Sequence, residues 1–175
     1  MKTHRLVVIF LFLIFTLFAL PVMAQETGTI QAIATVVSSL KVIEINNLNF
    51  GTIIPGVEKS VNKTDLGFAG EWQVTGDPIA ELSVDFLLPE YLYTSDSSAS
   101  LLVNFNSTDA AYDDGTGDGQ INPAGSLNPN GPSVLNIGSE GSLSIWIGGT
   151  VQPSVSQTGG DYSADVILVV AYTGS

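Results

Sequence analysis

The chain has 175 residues, 17 of them acidic against five basic, a formal net charge of −12 and no cysteine. The lack of cysteine excludes disulfide frameworks and cysteine nucleophiles. A chain this acidic repels nucleic acid and anionic lipid, so we expect no nucleic-acid partner.

Residues 1–24 have the layout of a secretory signal peptide. The short basic region MKTHR precedes the apolar run LVVIFLFLIFTLFAL, and the small residues Val22 and Ala24 follow it. This order predicts cleavage after Ala24, secretion to a periplasm, the cell surface or the extracellular space, and no membrane association afterwards. A retained anchor is the alternative, although the run is at the short end for a membrane-spanning helix.

The predicted mature chain, 25–175, lacks histidine and arginine, because His4 and Arg5 are the only two in the sequence. Its three lysines stand against 17 acidic residues, so its formal charge becomes −14. These absences exclude zinc sites built on His or Cys, nucleophile–histidine triads and arginine phosphate clamps. We therefore predict a single domain that is not an enzyme, with a length that suits one hydrophobic core.

Strand patterns recur along the mature chain, separated by clusters of Gly, Pro, Asn, Asp and Ser. Residues 79–89 alternate most clearly, with Leu82, Val84 and Phe86 on one face. The other segments of this kind are 29–37, 40–45, 48–56, 71–76, 100–106, 142–151 and 161–175. No segment has the 3.6-residue apolar period of a helix, so we predict an all-β fold, an antiparallel β-sandwich of about seven to eight strands.

Residues 107–141 are rich in Gly, Asp, Asn and Pro, which predicts a long surface loop between two strands. Inside it, Asp114, Thr116, Asp118 and Gln120 occupy ligand positions of a calcium-binding loop. The twelfth position should supply a bidentate carboxylate but holds a glycine. We therefore expect a solvated turn and no metal or other cofactor, with calcium binding as the alternative.

Trp146 lies on a strand face with Ser142 and Ser144, opposite the apolar side chains of residues 142–151. It is either an exposed aromatic for a ligand or a side chain beneath the long loop, and large aromatics are seldom left bare. An extracellular carbohydrate- or calcium-binding module that uses the 107–141 loop and Trp146 is therefore the alternative function. The sequence does not identify a small-molecule ligand.

The segment 161–175 is apolar on both faces, which is typical of a strand with neighbours on both edges. No further strand pattern follows it, so we expect its second partner to be the stretch 29–37 of its own chain or of another copy. The residues that we predict to form this assembly contact are Ile30, Ala32, Ala34, Val36, Val166, Leu168 and Val170.

The order of three short motifs is familiar: LNFG at 48–51, IGGT at 147–150 and GDYS at 160–163. It resembles the bacterial domain-of-unknown-function family 4402, a pilin-like relative of spore coat protein U and of chaperone–usher pilin subunits. The resemblance implies an immunoglobulin-like sandwich and a structural role at the cell surface, as a fimbrial or fibre subunit. It also implies self-assembly by strand addition, in which a neighbour's N-terminal extension fills an empty sheet position. A self-complemented monomer remains the alternative.

Overall fold

A computed structural model describes residues 31–34 and 39–174. The larger part, Ser39–Gly174, contains thirteen strands. They are β1 (Lys41–Asn46), β2 (Lys59–Val61), β3 (Gly70–Thr75), β4 (Glu81–Leu87), β5 (Tyr91–Thr94), β6 (Ser100–Asn104), β7 (Ala110–Asp113), β8 (Gly125–Leu127), β9 (Ser133–Asn136), β10 (Ser142–Ile147), β11 (Gly149–Gln152), β12 (Tyr162–Ser163) and β13 (Ile167–Tyr172).

The strands form three antiparallel sheets. The first sheet has the order β1-β3-β10-β7-β8, the second β12-β5-β6-β11-β2 and the third β13-β4-β9. The chain passes from the first sheet to the second at Gly148, between β10 and β11. A side chain at Gly148 would collide with the carbonyl oxygen of Val61, so this crossover requires glycine.

One hydrophobic core receives side chains from all three sheets. On β4 the alternation seen in the sequence places Leu82, Val84 and Phe86 inside, between half-buried polar neighbours. Phe86 meets Trp72 of the first sheet edge to face, with ring centroids 6.1 Å apart. Burying one large apolar side chain contributes about 1.5–3 kcal/mol, so this alternation fixes which face of each strand is internal.

The prediction of an all-β, antiparallel β-sandwich is confirmed, and the described residues contain no helix. The strands outnumber the predicted seven to eight because several have only two to four residues. The segment 48–56 was predicted as a strand, and that is wrong. Gly51 has a φ of 62° and its amide donates to the Asn49 side chain, so the backbone turns there instead.

The stretch 107–141 is not one continuous loop, because it contains β7, β8 and β9. These strands are three or four residues long and rich in Ala, Ser and Gly, so they carry no clear apolar alternation. β7 pairs with β10 and β9 pairs with β4, while β8 pairs with β7, so these ladders depend on neighbouring strands rather than on local sequence. Irregular backbone is confined to the connections between them.

The predicted signal peptide, 1–24, lies outside the described residues, as do Ile30 and Val36. Gln31–Ala34 belong to a separate unit of the chain, are exposed and lie in no strand. Within the described ranges no helix has the length and hydropathy needed to cross a bilayer.

Candidate functional site

β13 is the strand that the sequence predicts in the middle of a sheet, yet the described part of the chain gives it one partner. It pairs antiparallel with β4 along its whole length. Leu168 and Val170 pack against the core, whereas Ile167 and Val169 are exposed. The second edge of β13 is therefore open among the described residues.

One hydrogen bond shows which backbone groups lie on that open edge. The amide of Thr173, just after β13, donates to the carbonyl oxygen of Glu81 at 3.2 Å. Along an antiparallel ladder, residue pairs joined by backbone hydrogen bonds alternate with pairs that are not. The pairing of β13 with β4 has no bulge, so this alternation extends along the whole strand. The N–H and C=O groups of Leu168, Val170 and Tyr172 therefore point away from β4. An edge of this kind is a template for pairing with a further strand.

β1 forms the facing wall of the same side of the sandwich. At one end, Leu40 and the hydroxyl group of Tyr172 both lie close to Gly76. At the other end, Leu48 and Val166 line one cavity. β1 and β13 therefore run in opposite directions on either side of a groove, and six strand residues span about 20 Å. A strand placed between them would run parallel to one and antiparallel to the other.

Next to this groove, between the residues that follow β1 and those that precede β13, lies a cavity of about 890 Å³. Its floor is formed by the core residues Leu101, Val103 and Phe105, with Leu92 beside them. The volume lies in the range of sites that hold a ligand or a partner's side chains. The apolar core is thus reachable from outside beside Val166, the residue that precedes β13.

The segment between β11 and β12 closes the cavity on its polar side. The Gln157 amide nitrogen donates to the Tyr162 hydroxyl oxygen at 2.8 Å and to the Ser100 carbonyl oxygen at 2.9 Å. The Tyr162 hydroxyl in turn donates to the carbonyl oxygen of Thr158 at 2.6 Å. This network fixes the rim, so the cavity is a formed feature rather than a gap between loose loops.

Three of the predicted assembly residues, Val166, Leu168 and Val170, lie together along the groove, half-buried. Ala32 and Ala34 are exposed and outside any strand, and the remaining two fall outside the described residues. Sequence reasoning missed the wall at 47–53, because that segment was predicted as a strand. The apolar alternation of Leu48 and Phe50 is the signal that could have placed it against the core.

The four positions of the predicted calcium loop do not converge on a common point. The Thr116 amide and hydroxyl both donate to one carboxylate oxygen of Asp114, at 3.1 and 2.6 Å. The Asp118 amide donates to the Asn122 carbonyl oxygen, and the Gln120 side chain reaches away to the Lys63 carbonyl oxygen. Among the described residues there is no cluster of three or more acidic or histidine side chains that could hold a metal.

Asp113 organises this loop, and sequence reasoning missed it. Its side chain is 9% exposed, and its two oxygens accept backbone amides from Gly115 at 2.8 Å, Gly117 at 3.0 Å and Gly119 at 2.7 Å. Burial alone would raise the pKa of Asp113, but the three amides outweigh it and hold the pKa below its usual value. Glycine at every second position after an aspartate is the signal that could have identified it.

Trp146 is 3% exposed, although it lies on the face of the first sheet opposite the core. Asp113 pairs with Ser144, two residues before Trp146 in the sequence. Lys63 lies beside Gly148, two residues after Trp146. Because Gln120 reaches Lys63, the chain from Asp113 to Gln120 spans the position of Trp146. Its ring therefore offers no surface to a ligand, and its indole N–H has no partner among the described residues.

Comparison with known proteins gives no assignment for this chain: no family model matches it, and no curated protein matches it. The resemblance to the pilin-like family stays a prediction.

Proposed function

We propose that the chain is a secreted, non-enzymatic structural protein of the bacterial cell surface or periplasm, whose copies join by strand addition. In this proposal the stretch 29–37 of one copy enters the groove between β1 and β13 of the next. The observation that carries it is the open edge of β13, whose core-facing side chains Leu168 and Val170 are only partly buried; Val166, just before the strand, lines a cavity of about 890 Å³. Immunoglobulin-like topology and a fimbrial fibre are the finer expectations of the same proposal.

The physical argument is that β13 has the composition of a central strand and the position of an edge strand. Three apolar side chains on its outer face, Ile167, Val169 and Ala171, are exposed beside the open backbone groups. Exposed apolar edges are aggregation sites, and natural proteins cover or pair them. An added strand would satisfy the backbone and cover the core at once, which a soluble ligand would not do.

The stretch 29–37 suits the groove because Ile30, Ala32, Ala34 and Val36 alternate along it. Small and β-branched side chains of this kind fit a narrow groove between two sheets. The described part of the stretch, Gln31–Ala34, is exposed and outside any strand, with Ile33 at 81%. An exposed arm of this kind supports pairing with a neighbouring copy.

Self-complementation is the remaining alternative, and the groove geometry constrains it. Because only residues 38–40 separate the stretch from β1, an insertion within the same chain must turn back along β1. It would then run antiparallel to β1 and parallel to β13. A strand from another copy has no such constraint and can pair antiparallel with β13, the more stable arrangement.

The binding-module alternative loses its main support at the loop 107–141. Trp146 is buried, and the carboxylate oxygens of Asp113 and one of Asp114 are occupied by hydrogen bonds within the loop. We therefore place no calcium site and no carbohydrate site at that loop.

Native gel electrophoresis of the purified protein tests the proposal. Strand addition predicts a ladder of oligomers that disappears when residues 25–37 are deleted. Ala34→Asp should also abolish the ladder, because it puts a charge on the face that enters the groove. Ile33→Asp is the matched control on the opposite face and should keep the ladder. A monomer in both the full and the deleted chain would rule out assembly through this stretch.

A further inference from the structure

The outer face of the second sheet lies away from the groove. Alternation on β5, β6 and β11 turns Leu101, Val103 and Val151 inward. It turns Leu102 outward, together with six side chains that can form hydrogen bonds: Tyr91, Tyr93, Ser100, Asn104, Thr150 and Gln152. We call these six residues the tyrosine face. Tyr93, Ser100 and Asn104 are exposed, and the other three are half-buried.

Two aromatic rings stand side by side on this face. Tyr91 and Tyr93 are two residues apart on β5, so their side chains leave the sheet in the same direction. Their ring centroids are 6.3 Å apart with an interplanar angle of 51°. Tyr93 is 46% exposed. Paired tyrosines offer a rigid contact surface at low cost in conformational entropy, with a polar tip on each ring.

Hydroxyl and amide groups surround the rings. Tyr93 lies opposite Ser100 across β5 and β6, and Asn104 lies opposite Thr150 across β6 and β11. The Thr150 hydroxyl lies 2.8 Å from that of Ser60 on β2, which extends the polar row to the edge strand. Every outward side chain of this sheet except Leu102 can therefore donate or accept a hydrogen bond.

None of the six side chains of the tyrosine face is charged, although the chain has 17 acidic residues and a formal charge of −12. The one charged residue in the strands of this sheet is Lys59, which pairs with Val151 and so belongs to the opposite face. Its ammonium group donates to the Thr52 carbonyl oxygen. A polyanion would be repelled by the acidic chain and a polycation would prefer its carboxylates, so the tyrosine face suits an uncharged ligand.

From this arrangement we infer that the tyrosine face is a binding site for a neutral polysaccharide. Sugar rings present C–H groups on their faces, which pack on aromatic rings, and hydroxyl groups at their edges, which bond to amides and hydroxyls. The adjacent tyrosines receive consecutive sugar units, and the serine, threonine, asparagine and glutamine side chains bond to the ring substituents. The site is distinct from the groove and does not rest on the strand-addition proposal.

A protein partner fits this surface less well. The core of a protein–protein interface is usually depleted of serine, and its anchor side chains fill well-packed pockets on the partner. Here Leu102 is the single aliphatic outward residue, and it is only partly exposed. The abundance of hydroxyl and amide groups therefore favours a hydroxyl-rich ligand.

Affinity electrophoresis of the purified full chain tests the inference. The probes are a soluble β-glucan, a xylan, a mannan and a dextran, with polygalacturonate as the anionic comparison. We expect at least one neutral polysaccharide to retard the protein, and polygalacturonate not to. Tyr93→Ala should weaken that binding about tenfold or more, because tyrosines at the centre of a site carry a large share of affinity. Tyr93→Phe, which keeps the ring, should retain most of it.

Phe68→Ala is the matched control, since Phe68 is 53% exposed and lies outside the second sheet. It should bind as the unchanged chain does. Because Tyr93 is also largely exposed, its truncation should leave the melting temperature nearly unchanged. The inference is overturned if no neutral polysaccharide retards the protein, or if Tyr93→Ala binds as well as the control. It is equally overturned if Tyr93→Ala changes only the oligomeric state, because the face would then be a protein interface.

Discussion

Replacing Asp113 should destabilise the protein far more than replacing its neighbour Asp114. Asp113 is 9% exposed and accepts three backbone amides, whereas Asp114 is half-buried and its side chain accepts the Thr116 amide and hydroxyl. Hydrogen bonds to a charged group are worth about 1.5–3 kcal/mol each. Three of them set an upper bound, because water can reach some of the amides once the loop relaxes. We therefore expect Asp113→Ala to cost about 3 kcal/mol.

Asp113→Asn removes the negative charge of the side chain but keeps its size and shape. The amide can keep one acceptor oxygen for Gly115 and Gly117, but its NH₂ group would face the Gly119 amide, donor against donor. We expect a loss of about 2 kcal/mol. Asp114→Asn, the matched control, should stay within about 0.5 kcal/mol of the unchanged chain. Equilibrium unfolding in urea measures all three variants.

The pH dependence of the free energy of unfolding tests the role of Asp113 in a second way. Because the pKa of Asp113 is lowered in the folded state, its stabilising contribution is present above the unfolded pKa of about 4. That contribution is lost as the pH falls through the lowered folded value. The stability gap between the unchanged chain and Asp113→Asn should therefore narrow below about pH 4. Equal stabilities for Asp113→Asn and Asp114→Asn at neutral pH would refute the reasoning.

Three further changes have defined outcomes. Val170→Pro removes a backbone amide on the open edge of β13, so the variant should fold but should give no ladder on a native gel. Val169→Pro removes an amide that is hydrogen-bonded to β4, so circular dichroism should show an unfolded protein. Ile79 is 68% exposed with a φ of 65°, so Ile79→Gly should raise stability by about 1 kcal/mol in thermal melts, whereas Ile54→Gly should lower it. Trp146→Phe removes a buried N–H that has no partner among the described residues, so the loss measured by urea unfolding should be only that of the smaller ring, about 1–2 kcal/mol. A loss of several kcal/mol would contradict an unpartnered N–H.

The sequence predicts the longer strands well, because their alternation extends over enough residues to define a face. β4, β6 and β10 are examples, each with a clear apolar row that enters the core. The short strands β7, β8, β9 and β12 are not predictable in this way. Two to four residues hold no measurable period, and their ladders form because longer neighbours offer unpaired edges.

The candidate groove is only partly predictable. β13 is identifiable as a strand that needs two neighbours, and the structure supplies one among the described residues. This conflict between composition and position marks the site, as expected where function overrides local consistency. The floor residues Leu101 and Val103 are predictable as buried, but the cavity that they line depends on the order of strands in two sheets. No local pattern encodes that order.

The tyrosine face, in contrast to β13, is not predictable from the sequence. The segment YLYT at 91–94 is too short to be predicted as a strand, so the sequence does not indicate that its two tyrosines share a sheet face. Only the pairing of β5 with β6 puts both rings on an outer face beside Ser100 and Asn104. The missing charge on that face also becomes visible only when the strands are assembled.

The most direct test of strand addition uses the absence of cysteine from the chain. The double variant Ala34→Cys, Val170→Cys places one thiol near the middle of the entering stretch and one on the core-facing side of β13. Insertion between copies predicts a covalent ladder on a non-reducing gel after mild oxidation, and Ser95→Cys in place of Val170→Cys should give none. A cross-linked monomer from the Ala34→Cys, Val170→Cys protein would show self-complementation and contradict assembly by strand addition.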